Sequence, residues 1–563
     1  MSDNGNHEAE EMLGWAVMGL IGVVAAVGST LFLAGQVIDT VAGRPVKAWT
    51  ADGVKAAFLH PTAGPVAVAG GVFLTAALLT GVALGRHQRK ARERAVWAPL
   101  ATASQVPALS LRAAAERAVR GPQPLRPSLA GRPARKVPAN DAGVHLGRHA
   151  LTGQPLYSGW RDVILAVMGP GGGKTASLTI PATLAAPGVV IATSNKPDLW
   201  QATHAIRGRV GTSWTFDPQC ITGTGQGMVW NPLGAVVTTA DADRLAGHFL
   251  QEISGGRDGG DFWTQAAGNL LSALLLGAAA GGRPIGHVAW WLADPASTDP
   301  ADILTAGGHA AAAHMLTAMT AGAKETTAGI YETARAATQC LRHDDILGWV
   351  TPQDGLPELH PAALAGLDTI HLLSKDGAGS AAPLVAALTD AIIRAGMERA
   401  EGNPGGRLDP PMLMVLDEAA NICKIKDLPL LYSHLGSRGL IPLTILQSYP
   451  QGEAVWGRDM DALWSAATVK MVGAGCSHAK FCEDVSILGG EHEIPSRSTS
   501  RGAHGSTTSD GTRTERRITA GAVSALPLYT ALIVTAGQPM VGVRLTSWAD
   551  GPCRDQVAEA LRS

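Results

Sequence analysis

"DVILAVMGPGGGKTASLT", residues 162–179, decides how the rest of the chain is read. Its first seven residues are apolar after Asp162 and rich in Val, Ile and Leu, the composition of a strand buried on both faces. A glycine cluster then ends on Gly173-Lys174-Thr175 and leads into a plausible helix. Strand, glycine loop and helix in that order are the context of a phosphate-binding loop. Glycines let backbone N–H groups curl around phosphate oxygens without Cβ clashes. The helix N-terminus adds a favourable field for an anion. Met168 stands where the usual G-x-x-x-x-G-K-[ST] pattern begins with glycine. That first glycine mainly eases the turn out of the strand, and four others follow. Gly169, Gly171, Gly172, Gly173, Lys174, Thr175 and Ala176 are therefore the expected nucleotide contacts. Lys174 is placed to reach the β and γ phosphates, and the Thr175 hydroxyl to ligate Mg²⁺.

A phosphate loop needs acids, and "PMLMVLDEAANI", residues 411–422, supplies them. The apolar run Leu413 to Leu416 reads as another buried strand, with Asp417 and Glu418 at its tip. Asp417 is suited to hold Mg²⁺ through water, and Glu418 to orient and polarise an attacking water. "LIPLTILQSYPQ" follows as a further strand ending at Gln447, a natural γ-phosphate sensor. Arg438, in "LGSRGL", just precedes it and is a candidate arginine finger acting across a subunit boundary. Structural hydrogen bonding is the alternative role for both residues.

About 240 residues separate Lys174 from Asp417, far more than a minimal phosphate-loop core needs. Much of that stretch is Ala- and Leu-rich with helical periodicity, as in "WTQAAGNLLSALLLGAAA". The expectation is an all-α domain at 239–364 set into an α/β nucleotide-binding domain at 141–238 and 365–550. The polar Gly/Ser/Thr-rich stretch 495–517 reads as a flexible loop, and "LPLYTALIVTAGQPMVGVRL" after it as a terminal hairpin.

The amino-terminal 94 residues read as a membrane anchor. Residues 12–38 and 65–85 carry no Asp, Glu, Lys or Arg and are long enough to cross a bilayer as two transmembrane helices. An acidic flank (Glu8, Glu10, Glu11) and an over-long apolar run argue against a cleaved signal peptide. "RHQRKARER" after the second run puts that side in the cytoplasm, so both termini and the motor face inward. Residues 95–140, with Arg interleaved among prolines, read as a semi-extended basic linker around a short helix near 107–120. Net charge is −2, which excludes a strongly basic nucleic-acid protein overall; any DNA contact must be local or arise in an assembly. The six cysteines form no CxxC pair and are expected as buried free thiols. Cys476, His478 and Cys482 match no common zinc spacing.

Taken in order, the two apolar spans, "GPGGGKT", "TSNKPDL", "FDPQC…VWNPL", "DFWTQAAGNLL", "VLDEAANI", "SRGLIPLTILQSYPQ" and "LGG" resemble the type IV secretion coupling proteins of the VirD4/TraG/TraD group. The resemblance covers roughly residues 150–545 and the anchor; Met168 and a short, Ala-rich insertion depart from it. It implies a RecA-like P-loop ATPase in the bacterial plasma membrane, using ATP and Mg²⁺ and forming a homo-hexamer. It also implies partners: single-stranded DNA with its relaxase, or protein substrates, and the components of a secretion channel. Two other readings stay open. A double-stranded DNA pump of the FtsK/SpoIIIE kind would carry a winged-helix reader, for which little chain remains after the last expected strand. A receptor platform whose nucleotide site controls assembly would turn over little.

Overall fold

The structure, a computed structural model, describes residues 29–40, 42–43, 45, 50–59, 95–254, 262–502 and 505–562. The chain divides into two compact units, residues 1–95 and Val96–Ser563. In the first, residues 29–40 are helical, as is Ala51–Leu59. Most of the expected first span and all of the second lie outside the described residues. Among the described residues, no helix is long and apolar enough to cross a membrane.

The second unit is built on thirteen strands: β1 (His145–His149), β2 (Pro155–Tyr157), β3 (Ile164–Val167), β4 (Val190–Ser194), β5 (Ser213–Phe216), β6 (Thr369–Leu373), β7 (Met412–Leu416), β8 (Leu440–Leu446), β9 (Val469–Gly473), β10 (Glu491–Gly502), β11 (Gly505–Arg516), β12 (Thr530–Thr535) and β13 (Gln538–Arg544). Eleven form one mixed sheet in the order β2-β1-β13-β12-β9-β3-β8-β7-β4-β6-β5. From β9 to β5 the strands are parallel; from β9 through β12 and β13 to β2 they are antiparallel. β12 and β13 are the terminal hairpin expected from the sequence.

The continuous apolar runs are explained by burial on both faces. Along β7, Met412, Met414 and Leu416 enter one core while Leu413 and Val415 enter the other. Along β3, Val163 and Leu165 alternate in the same way with Ile164 and Ala166. Every residue of β3, β4, β6, β7 and β8 is buried.

Between β5 and β6 the chain is helical from Thr239 to Trp349, with residues 255–261 outside the described set. These helices do not enclose a core of their own. Leu270, Leu271 and Leu274 of the helix Phe262–Ala280 belong to the same cluster as Phe216, Ile370 and Met412 of the sheet. The Trp349 ring meets Phe216 edge-on, with centroids 5.7 Å apart. A buried Arg207 ties the loops at the start of the parallel strands, donating to Ala186 O, Gly188 O and Leu367 O at 2.8–3.0 Å and to Thr369 Oγ1 at 2.7 Å.

Two stretches differ from the reading of the sequence. Residues 96–140 are packed, not a semi-extended tether. Trp97, Leu100, Val106 and Leu109 are buried, Ala101 N donates to Met540 O, and Leu111–Val119 is a helix. Arg126 Nε reaches Asp409 Oδ1 at 2.7 Å and Nη1 pairs with Asp141. The prolines set turns and short 3₁₀ segments, and the apolar residues between them, too sparse to show a period, cover the sheet margin. Residues 495–517, expected as a flexible loop, lie largely in the β10–β11 hairpin, paired from Glu491↔Arg516 to Gly502↔Gly505. Threonines recur through it, and β-branched residues favour a ladder over a loop.

Of the cysteines, Cys340, Cys423, Cys476 and Cys482 are buried free thiols, whereas Cys220 is exposed and Cys553 half-buried. Burial pushes the Cys476 thiol up to about 12. Its Sγ donates to Val167 O, and Cys482 Sγ donates to Cys476 O.

Candidate nucleotide site

All the parallel strands present their carboxyl ends at one edge, and the phosphate loop leaves β3 there. Chain order is broken at this point: β3 and β4 are consecutive strands, but β8 and β7 stand between them in the sheet. Ligands of open α/β sheets bind in the crevice such a break opens. The loop is pinned from below, Met168 N donating to Leu446 O at 2.9 Å and Gly169 N to Ala474 O at 3.0 Å. Gly171 and Gly173 have φ of 74° and 86°, which L side chains rarely adopt. A Cβ on Gly169 would fall 2.3 Å from Gly475 O. The loop is therefore bare backbone because side chains there would strike the neighbouring turn or strain the chain. After Lys174 the helix opens with a single π turn, Thr175–Thr179, before Ile180–Ala185.

Lys174 reaches over the tip of β8 to the acids of β7. Its Nζ ion-pairs with Glu418 Oε1 and lies 3.5 Å from Asp417 Oδ1. The three side chains are 11%, 6% and 4% exposed, so the charges meet in a largely desolvated cleft. Burial pushes the Asp417 carboxyl up to about 6; Lys174 opposes the shift and Glu418 adds to it. Asp417 is anchored through its main chain, its carbonyl accepting from Thr193 Oγ1 of β4 at 2.8 Å. Glu418 has a left-handed backbone, φ 54°, which turns its side chain at the strand end. Such strain at a polar strand tip is a feature of functional sites.

Gln447 closes the group, its Nε2 donating to Glu418 Oε2 at 2.6 Å. Asn421 Nδ2 donates to the same oxygen at 3.2 Å. Gln451 in turn holds both neighbours: its Nε2 donates to Asn421 Oδ1, and its Oε1 accepts from Gln447 N at 3.2 Å. Asn421 and Gln451 stand within the motifs quoted above, but the sequence assigns them no role. Their signal is spacing: each falls at the third position of the short helix that follows its strand tip, three residues after Glu418 and four after Gln447.

Arg438 is not brought to this cleft. It precedes β8 and so lies at the opposite edge of the sheet, roughly 23 Å of strand from Gln447. There it ion-pairs with Glu401. Any finger role would have to be played toward another subunit.

The residues present fit a Mg²⁺–nucleotide. Bare backbone donors and Lys174 suit phosphates. The Thr175 hydroxyl and the Asp417 carboxylate would hold the cation, and a buried carboxylate is the group a cation stabilises most.

A family model described as "TraM recognition site of TraD and TraG" matches residues 411–527, from the acid-bearing strand to the turn before β12. No curated protein matches the chain significantly. Among solved structures, the unbound bacterial conjugative coupling protein TrwBdeltaN70 superimposes with a TM-score of 0.52 at 18% identity, over 71% of this chain and 88% of that one. Plasmid coupling protein TrwB in complex with the non-hydrolysable ATP analogue ADPNP gives 0.51 at 18% identity, over 69% and 86%. At that identity the likeness establishes the fold, a large mixed sheet in an α/β architecture. The motifs in their order, the matched family segment and the shared fold together support a coupling protein of the TraG/TraD/VirD4 type.

Proposed function

We propose that this chain is a membrane-anchored coupling ATPase that uses ATP hydrolysis to bring single-stranded DNA with its relaxase, or protein substrates, to a type IV secretion or conjugation channel. The observation that carries the ATPase reading is the convergence of Lys174, Asp417, Glu418 and Gln447 at one sheet edge. Lys174 is paired with the acids across the cleft. An arriving triphosphate competes for that lysine, and Glu418 is then released to accept a proton from water while Gln447 and Asn421 hold its other oxygen. Bound Mg²⁺ supplies charge neutralisation at the phosphates. Gln447 also senses whether a terminal phosphate is present: its Nε2 carries two N–H donors, one on Glu418 Oε2 and a second available to that phosphate.

The cargo and partners follow from the family likeness. The matched segment is named for recognition of TraM, so a DNA-processing partner of that kind is the expected binder of 411–527. Nucleotide between subunits of a hexamer is the expected assembly, with Arg438 as a candidate contributor from the neighbouring subunit. Residues 12–38 and 65–85 are the proposed anchor in the plasma membrane, with the motor on the cytoplasmic side.

The test is phosphate release by the detergent-extracted full chain, with and without single-stranded DNA. Glu418→Gln should bind ATP and lose turnover by about 10²–10⁴-fold, the size of a general-base contribution. Hydrolysis by Glu418→Gln at the wild-type rate would refute the base assignment. ATP binding by the wild-type chain with no turnover, even with DNA and lipid, would favour a nucleotide-controlled receptor platform instead.

A further inference from the structure

Tyr529 stands at the same sheet edge as the phosphate loop, on the flank away from the acids. β12 runs antiparallel to β9, so its first residues pair with the carboxyl end of β9, Ala531 against Gly473. This carries the turn Pro527–Thr530 up to the loop. The turn is pinned: Thr530 N and Oγ1 donate to Pro527 O at 3.2 and 2.6 Å, and Leu545 N donates to Tyr529 O at 2.8 Å. Tyr529 occupies its third position with a φ of 59°, where glycine or asparagine is usual. Only three non-glycine residues among those described have positive φ: Cys220, Glu418 and Tyr529. A bulky aromatic held there is strained, and the strain persists because the turn over-determines it.

The ring lies on Gly173, the glycine before Lys174. A Cβ built on Gly173 would stand 2.6 Å from Tyr529 Cδ1 and Cε1. Tyr529 as a residue is 43% exposed, so it is not sealed into the core. An aromatic face is thus presented beside the phosphate cradle without being buried in the core.

The order of strand tips tells which part of a nucleotide meets it. β8 and β7, with Gln447, Asp417 and Glu418, lie on one flank of β3; β9 and β12, with Tyr529, lie on the other. A triphosphate whose terminal group points to Glu418 leaves the cradle toward β12. We infer that the Tyr529 ring is the stacking platform for the nucleoside end of the bound nucleotide. This rests on the nucleotide site proposed above. A π face grips any base and reads no edge, so it confers affinity with little preference between adenine and guanine.

Binding of ATP, GTP and inorganic tripolyphosphate to the full chain tests this. Tyr529→Asn is the informative variant, because asparagine tolerates the left-handed backbone while removing the ring. It should weaken ATP and GTP alike by roughly 5- to 100-fold, the range of base–aromatic stacks, and leave tripolyphosphate unchanged. Tyr529→Phe should bind all three as wild type. Tyr529→Trp should bind ATP with quenching of the added indole emission, and tripolyphosphate without it. Equal loss of tripolyphosphate in Tyr529→Asn would mean that the ring merely props the loop and would overturn the inference. Unchanged ATP affinity in that variant would overturn it too, as would indole emission in Tyr529→Trp that ATP does not quench. A wild-type chain that binds neither ATP nor tripolyphosphate would refute the underlying nucleotide site instead.

Discussion

Met168 fills the space that Gly473 leaves open on the neighbouring strand. A Cβ built on Gly473 would stand 2.5 Å from Met168 Cγ and Cε, and Met168 is fully buried. The phosphate loop thus tolerates methionine in place of its first glycine because β9 supplies a glycine opposite. Gly473→Ala should overpack this contact and lower stability by about 1–3 kcal/mol. Met168→Gly should relieve the clash, so the double variant loses less than the sum of the two single losses. Urea unfolding of the four proteins measures the coupling; strict additivity would show that the two residues do not share the space.

Lys174 sets one positive charge between two acids that are buried together. Lys174→Ala should abolish ATP binding, and should also destabilise the nucleotide-free protein by about 3 kcal/mol, the cost of leaving buried charges unpaired. Calorimetric melting without nucleotide separates the two effects. An unchanged melting temperature would mean that the ion pairs contribute little when no nucleotide is added.

Gln451 touches no part of the expected reacting groups, yet it orients Asn421 and the backbone of Gln447. Gln451→Ala should lower kcat by about tenfold, within the range of a misplaced catalytic group, and leave KM for ATP unchanged. A rise in KM at constant kcat would place Gln451 in nucleotide binding rather than in positioning Glu418.

Acid should destabilise the protein through two histidines, one buried and one half-buried, that the fold holds neutral. Desolvation, with His204 and Arg207 adding, holds His371 down at about 3. Burial, with Arg148 adding, holds His145 down at about 4. Unfolded, both titrate near 6.5. Below that pH the unfolded chain gains protons that the folded one refuses. Stability present at neutral pH is therefore lost from about pH 6.5 down to about 4 for His145 and about 3 for His371, by up to about 1.4 kcal/mol per pH unit for each histidine. His371→Leu should flatten that limb by about one proton in urea titrations across pH. A slope identical to wild type would mean that His371 is not buried neutral.

The packed margin at 96–140 gives a truncation test. A chain starting at residue 96 should fold and stay soluble, since Val96–Ser563 is one compact unit. A chain starting at residue 141 should aggregate, because it loses Trp97, Leu100, Val106 and Leu109; a single large-to-small change at such a site costs about 3–5 kcal/mol. Equal solubility and melting of the two would restore the view of 96–140 as a mere linker.

Much of this protein was legible without coordinates. The runs before Gly169, Asp417 and Gln447 are strands because each is short and almost wholly apolar, and those before Asp417 and Gln447 are closed by a polar tip. That pattern requires cover on both faces, and hence a parallel sheet with chemistry at its carboxyl edge. Lys174, Asp417, Glu418 and Gln447, which the structure brings together, could be singled out because each stands in a locally recognisable pattern, as does Thr175. What the linear pattern left hidden depends on contacts between distant segments. That Lys174 reaches across one intervening strand to Glu418, that Gly473 makes room for Met168, and that Tyr529 lies on Gly173 are consequences of strand order. The exclusion of Arg438 from the cleft has a simpler cause: nine residues before Gln447, it stands at the other end of the same strand. Strand order is settled by how two apolar faces are best covered at once, a property of the whole sheet that no single stretch of sequence encodes.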